Sequence, residues 1–212
     1  MNINNIKYGL GCIKSELDGT EYKLSLPENI KLPEEYTYID TMPPVLDQGP
    51  TSQCVCYSVT SVMDWKANEN RNTNQSCGFD IDGLYSKRKD LTQNGMQIKE
   101  ALHYIRHNFL SNRYNIKLEI SRYSMVKSPD ELKYALMVSG PCVAGMPVYQ
   151  ENIYSCFWNG NTFQGGHCIT IVGYDKDGFI IRNSWGPQWA DKGYILLPYG
   201  DFEKFFEIWS LS

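Results

Sequence analysis

The spacing of apolar residues changes twice along the chain. From Ser52 onward, Val55, Val59, Val62, Met63 and Trp65 recur at roughly helical intervals with polar residues between them. Ser52 is the expected N-cap, which places Cys54 in the first turn. The asparagines crowded between 68 and 74 should end this helix. Residues 84–91 read as a short helix, and Ile98, Leu102, Ile105 and Phe109 mark another amphipathic one. Ser128-Pro129-Asp130-Glu131 has the form of a capping box with proline at the first helical position. The helix it opens runs through Leu132, Leu136 and Met137 and stops at Gly140. After Pro141 the period shortens to that of strands, expected at 142–149, 168–174, 178–182 and 193–197.

Residues 1–44 show neither period. Leu26-Pro27, Leu32-Pro33 and Pro43-Pro44 break any helix, so this stretch is expected to lie as an extended strap over the body. Helices in the first two thirds and strands in the last third predict an α+β arrangement of two lobes. The expected division is a strap over 1–43 and one folded domain over 44–212.

With 212 residues, 42% of them hydrophobic, the chain can bury a sizeable core. The net charge is -4, and Lys87-Arg88-Lys89 is the only basic run, best read as a solvated helix face. No nucleic-acid partner is expected from that distribution. No apolar run is long enough to span a membrane, and residues 1–14 lack the apolar segment of a secretory signal. The expected location is the cytoplasm, with reduced thiols. The seven cysteines are odd in number, so at least one has no internal disulfide partner.

Candidate chemistry lies in three short segments. Gln48-Gly49-Pro50-Thr51-Ser52-Gln53-Cys54 leads into the first helix. A thiol at a helix N-terminus feels the positive end of the macrodipole, which favours thiolate. Cys56 is the rival nucleophile, but two positions along a helix turn its side chain well away from Cys54. Gln48 could donate an amide hydrogen to a developing oxyanion. Of three histidines, His167 follows Gly165-Gly166, which allow close backbone approach, and precedes a strand. It is the expected base, facing the helix N-terminus. Asn183 could hold the imidazole in place, with Trp185 two residues on to keep water from that hydrogen bond. His103 and His107, four apart on a helix, offer a competing metal-binding face, although no third ligand is evident nearby.

Together these segments resemble the papain-like cysteine peptidases from Pro44 to Leu197. Gly166-His167-Cys168-Ile169-Thr170-Ile171-Val172-Gly173-Tyr174 resembles that family's histidine strand. Ile181-Arg182-Asn183-Ser184-Trp185-Gly186, followed by Trp189 and Gly193-Tyr194-Ile195, resembles its asparagine segment. The resemblance implies a helical left lobe and a β-rich right lobe with the active site between them. It implies hydrolysis of a peptide or protein substrate through a thiolate–imidazolium pair and an acyl-enzyme, with neither metal nor organic cofactor. Cys54, His167, Asn183 and Gln48 are then the catalytic set. Gly95, Gly145, Gly165, Gly166 and Trp185 are the expected substrate-side residues, and the glycines at 145 and 165 suggest a roomy specificity subsite.

The chain departs from the family in places. Val55 stands where tryptophan is usual, and Thr51 where a disulfide cysteine is usual. No long helical inhibitory segment precedes the domain. The strap, with Tyr8-Gly9-Leu10-Gly11, is more like bacterial, phage and giant-virus members, for which a host cytoplasm or a virion is a further location. The same residues also suit an amidase, a deubiquitinase-like or acyl-transfer enzyme, or a silent binding or virion protein on the same scaffold. The strap is expected to lie across the cleft and restrain access to it.

Overall fold

The computed structural model describes residues 8–69, 73–112 and 116–212. Its N-terminal third holds three two-residue strands, β1 (Cys12–Ile13), β2 (Tyr22–Lys23) and β3 (Tyr36–Thr37). Helices α1 (Cys54–Asn68) and α2 (Ile81–Tyr85) follow, then strand β4 (Met96–Gln97) and helix α3 (Ile98–His107). Short strands β5 (Leu110–Ser111), β6 (Lys117–Leu118) and β7 (Tyr123–Met125) lead to α4 (Pro129–Ser139). The last third is β8 (Cys142–Tyr149), β9 (Phe163–Tyr174), β10 (Gly178–Arg182), β11 (Tyr194–Pro198) and β12 (Glu207–Leu211).

Helix α1 is the central support of the molecule. Most of its residues are buried, including polar ones such as Ser58, Thr60 and Asp64. Val55, Val59 and Met63 pack in one cluster with Leu102, Ile105 and Trp209. A second cluster, with Leu132, Leu136, Ile169, Ile171 and Trp189, fills the sheet side. The large sheet runs β11-β10-β9-β8-β12-β7-β2, with β3 paired separately to β9. The α+β architecture expected from the change of period is therefore present.

Boundaries moved where local signals were weak. The N-cap of α1 is Gln53, one residue later than expected, so Cys54 is the first helical residue. α2 spans 81–85 rather than the expected 84–91, because Asp80 caps its start by accepting from the Gly83 amide. α4 matches its capping box, with Ser128 accepting from the Glu131 amide and Gly140 at φ 91 beyond its end. β9 begins at Phe163, so His167 lies inside a strand rather than at its start. β12 is a strand beyond those the pattern predicts.

The N-terminal strap has two kinds of attachment. Residues 36–42 join the body: Tyr36 pairs with Tyr174, the Tyr38 ring meets Trp65 edge-on, and Met42 is buried. Residues 8–15 instead enter the groove between the lobes, where Cys12 pairs with Met96 in a parallel bridge. Between them, residues 16–35 contain no buried residue. Among the described residues, no helix is long and apolar enough to cross a membrane.

Candidate active site

Gln48, His167 and Asn183, three of the four residues expected to act together, are joined through Ser184, and Cys54 stands six residues beyond Gln48. Cys54 opens α1 and is fully buried. His167 lies on β9, where it pairs across the sheet with Met146. Its Nε2 is 2.7 Å from Asn183 Oδ1. The asparagine oxygen accepts, so Nε2 carries the hydrogen and Nδ1 is left as the free acceptor. Nδ1 is buried and without a hydrogen-bond partner, an arrangement that suits a group waiting for a proton. Asn183 Oδ1 also accepts the Ser184 amide at 2.8 Å, which fixes the direction of the side chain. Trp185 stacks on the His167 ring with centroids 4.4 Å apart.

Gln48 is brought beside this group by the Asp47–Trp185 bridge and by its own amide, which donates to Ser184 O at 2.9 Å. Ser184 Oγ donates to Gln48 Oε1 at 2.6 Å, so Nε2 must face the cleft side. Ser184 was not singled out from sequence. The signal was present in the Asn183-Ser184-Trp185 triplet, but its partner lies 136 residues away. Cys56 turns to the core, where its thiol donates to Met96 Sδ at 3.6 Å.

Strap residues lie against these groups. Gln48 Nε2 donates to Gly9 O at 3.0 Å, and its other hydrogen goes to Thr51 O at 2.8 Å. Trp185 Nε1 also donates to Gly9 O, at 3.4 Å. The Tyr8 ring stacks on Trp185 with centroids 4.8 Å apart. Gly9 N–H donates to Gly49 O, Gly11 N–H to Gly166 O and Met96 N–H to Gly11 O, at 2.8, 3.1 and 2.9 Å. The segment is thus hydrogen-bonded to both walls. A Cβ on Gly9 would lie 1.8 Å from Thr51 O, and one on Gly11 2.3 Å from Ser52 O. Only glycine permits so close an approach at these two positions.

The expected substrate-side glycines line this segment. Gly95 and Gly166 face the backbone oxygens of Gly11 and Cys12, and Gly165 lies beside Leu10. The expectation of a roomy subsite at Gly145 is corrected. The Phe206 ring, delivered just ahead of β12, lies where a Cβ on Gly145 would come within 2.3 Å of it, and Cys12 Sγ takes the remaining space. The region around 150–164 folds inward, with Phe157 and Trp158 fully buried and Phe157 edge-on to His167.

Burial decides the charge state beneath this cover. It pushes the Cys54 thiol far up, helped by the neighbouring Cys168 and opposed by the backbone amides of Cys168, Val55 and Gly11. Burial also lowers His167 to about 4, against the favourable bond to Asn183. The covered site therefore holds a neutral thiol and a neutral imidazole at neutral pH.

The competing metal face gains no support from geometry. The His103 and His107 rings sit 4.4 Å apart, but among the described residues no group of three potential ligands forms.

Comparison with known proteins bears on the whole arrangement. Fruit bromelain of Ananas comosus is 30% identical over 123 residues, covering 52% of this chain and 34% of that protein. Cysteine proteinase 3 of Entamoeba histolytica is 26% identical over 203 residues, 78% of this chain and 62% of the relative. The chain thus spans less than two thirds of the length of these curated relatives. Xylellain, a cysteine protease from Xylella fastidiosa, superposes with a TM-score of 0.82 at 20% identity, over 97% of this chain and 96% of that one. That likeness establishes the two-lobed fold. The family model for papain family cysteine proteases matches residues 40–204, from the end of the strap through β11 and beyond. On a match of that extent, the chain belongs to the papain family of cysteine proteases.

Proposed function

We propose that the chain hydrolyses peptide bonds of a peptide or protein substrate, with Cys54 as nucleophile and His167 as base. The observation that carries this reading is the imidazole held at Nε2 by Asn183 with Nδ1 unpartnered. In an uncovered cleft, Nδ1 takes the proton from the Cys54 thiol. The thiolate is favoured by the start of α1 and by the imidazolium it creates. It attacks the scissile carbonyl, and Gln48 Nε2 with the Cys54 amide receives the oxyanion. His167 returns the proton to the leaving amine as the acyl-enzyme forms. Water then attacks the thioester, His167 again holds the proton in transit, and a carboxylate leaves with the thiol restored.

Residues 8–15 serve in this reading as a self-blocking segment. They occupy Gln48, cover Trp185 and keep Cys54 and His167 neutral by excluding water. Cys12, Cys54, Cys56, Cys142, Cys156 and Cys168 form no disulfide, which suits a reducing compartment such as the cytoplasm.

The test is a fluorogenic peptide assay joined to labelling by an epoxysuccinyl inhibitor of this family, on the full chain and on one beginning at Lys31. The shorter chain should turn over peptide and carry one adduct on Cys54. Cys54→Ala and His167→Ala in that chain should abolish turnover. A folded short chain with neither turnover nor adduct would refute the peptidase reading.

A further inference from the structure

The blocking segment brings a third thiol into the cleft. Gly11 N–H donates to Gly166 O, and the Cys12 carbonyl lies against Gly166, where a Cβ would come within 2.1 Å. This register points the Cys12 side chain at the cross-strand pair Gly145–Cys168. Gly145 has no side chain to occupy the space, and Cys12 Sγ sits 3.1 Å from where its Cβ would be. There the Cys12 thiol has Cys168, the cross-strand partner of Gly145, as its neighbouring thiol, and that neighbour adds to burial in raising Cys12. Both are unpaired and buried. Cys168 immediately follows His167 on β9, so whatever joins Cys12 to Cys168 holds the segment beside the imidazole.

We propose that Cys12 and Cys168 are a redox pair whose disulfide locks the blocking segment into the cleft. The inference rests on the reading of residues 8–15 as a self-blocking segment. A peroxide is a sufficient oxidant: one thiolate attacks its O–O bond to give a sulfenic acid and hydroxide. The second thiol then displaces water from that sulfenic acid and forms the S–S bond. In sum two thiols and one hydrogen peroxide give one disulfide and two waters. A dithiol reductant reverses the state by exchange.

Two consequences follow from the placement. Residues 16–35 carry no buried residue, so they are the natural place for the chain to be cut. In the reduced state a cut there leaves only non-covalent contacts, the backbone hydrogen bonds and the Tyr8 and Leu10 side chains, to keep the segment in the cleft. In the oxidised state the cut segment stays attached. The lock also keeps Cys54 buried, away from the same oxidant. Burial holds the Cys12 thiol above its usual range, so locking should be slow at neutral pH and quicker at alkaline pH, where thiolate forms.

The experiment uses the intact chain. It is treated with hydrogen peroxide under native conditions, remaining thiols are capped with N-ethylmaleimide, and the digest is mapped without reduction. The expected product is a Cys12 peptide linked to a Cys168 peptide, reversed by dithiothreitol and missing in Cys12→Ser. Next, reduced and oxidised chains are nicked at exposed Lys31 by a lysine-specific protease and offered iodoacetamide. Cys54 should be alkylated in the nicked reduced chain and protected in the nicked oxidised one. Nicked Cys12→Ser should be labelled in both conditions. A Cys12–Cys54 link, or a Cys12 that remains freely alkylatable on unfolding after peroxide, overturns the proposal. If Cys12→Ser does not fold, the linkage map of the unaltered chain still decides. The linkage is read without any activity, so a chain that links but never cleaves peptide would refute only the peptidase reading. A chain that cleaves but never links would refute only the lock.

Discussion

The two ends of the strap are held by different physics. Residues 36–42 are attached as core: β3 adds to the sheet beside β9, Tyr38 packs on Trp65 and its hydroxyl donates to Leu136 O at 2.7 Å, and Met42 is buried. Residues 8–15 are attached as a ligand. Their bonds are mostly backbone to backbone, through glycines, with Tyr8 stacked on Trp185 beside them. Apolar burial stabilises by roughly 25 cal/mol per Å², so the first stretch is costly to remove. A net hydrogen bond contributes only about 1 kcal/mol, so the second can leave without unfolding the body. In the proposed reading, extended chain serves as scaffold at one end and as an occupant of the site at the other.

Truncation is the severest test of this contrast. A chain beginning at Lys31 should fold and be active, whereas one beginning at Val45 should fail to fold cooperatively. Circular dichroism and thermal unfolding read the difference, and a stable Val45 chain would place residues 36–42 with the removable part. Point substitutions should separate the two ends more finely. Gly9→Ala puts a Cβ 1.8 Å from Thr51 O and should raise turnover of the full chain toward that of the Lys31 chain with little change in melting temperature. Tyr38→Ala should do the opposite, costing about 2–4 kcal/mol of stability with no activation.

Acid offers a third measurement. His167 is lowered to about 4 from 6.5, so the covered fold requires the neutral ring. That contribution is complete above about pH 6.5 and is lost as pH falls through about 4, at most about 3 kcal/mol. Melting temperature followed over this range should fall more steeply for the unaltered chain than for His167→Gln. Equal slopes would take the acid loss away from His167; Glu207 and Asp64, raised by burial, bind their protons more readily in the fold and act against such a loss. The smallest effect belongs to Lys99→Ala. Lys99 Nζ meets Glu21 at 2.6 Å and Asp18 at 3.2 Å, just beyond the blocking segment. The Asp18 arm is exposed and the Glu21 arm part-buried, and ion pairs near the surface are worth little, so a slight rise in basal turnover, weaker still at high salt, is expected. An increase as large as that of Gly9→Ala would move the anchor from the glycine contacts to the ion pairs.

What could be read from sequence was local. The helical interval after Ser52 found α1 and put a thiol at its start. The Ser128 box found α4 within a residue, and the shift of period after Pro141 found β8 and β10. Gln48, Cys54, His167 and Asn183 were legible because each sits in a short, distinctive segment. A helix of fifteen residues or a strand of eight repeats its pattern often enough to be recognised. Only the tertiary structure decided that Ser184 turns the Gln48 amide, that Phe206 closes the space at Gly145, and that Cys12 meets Cys168. It also decided that the strap divides into a sheet-bound end and a cleft-bound one. A two-residue strand such as β1 or β3 is too short to show a period. The groups that meet in the cleft lie tens to more than a hundred residues apart, so their pairing follows from chain topology and close packing and leaves no trace in local spacing.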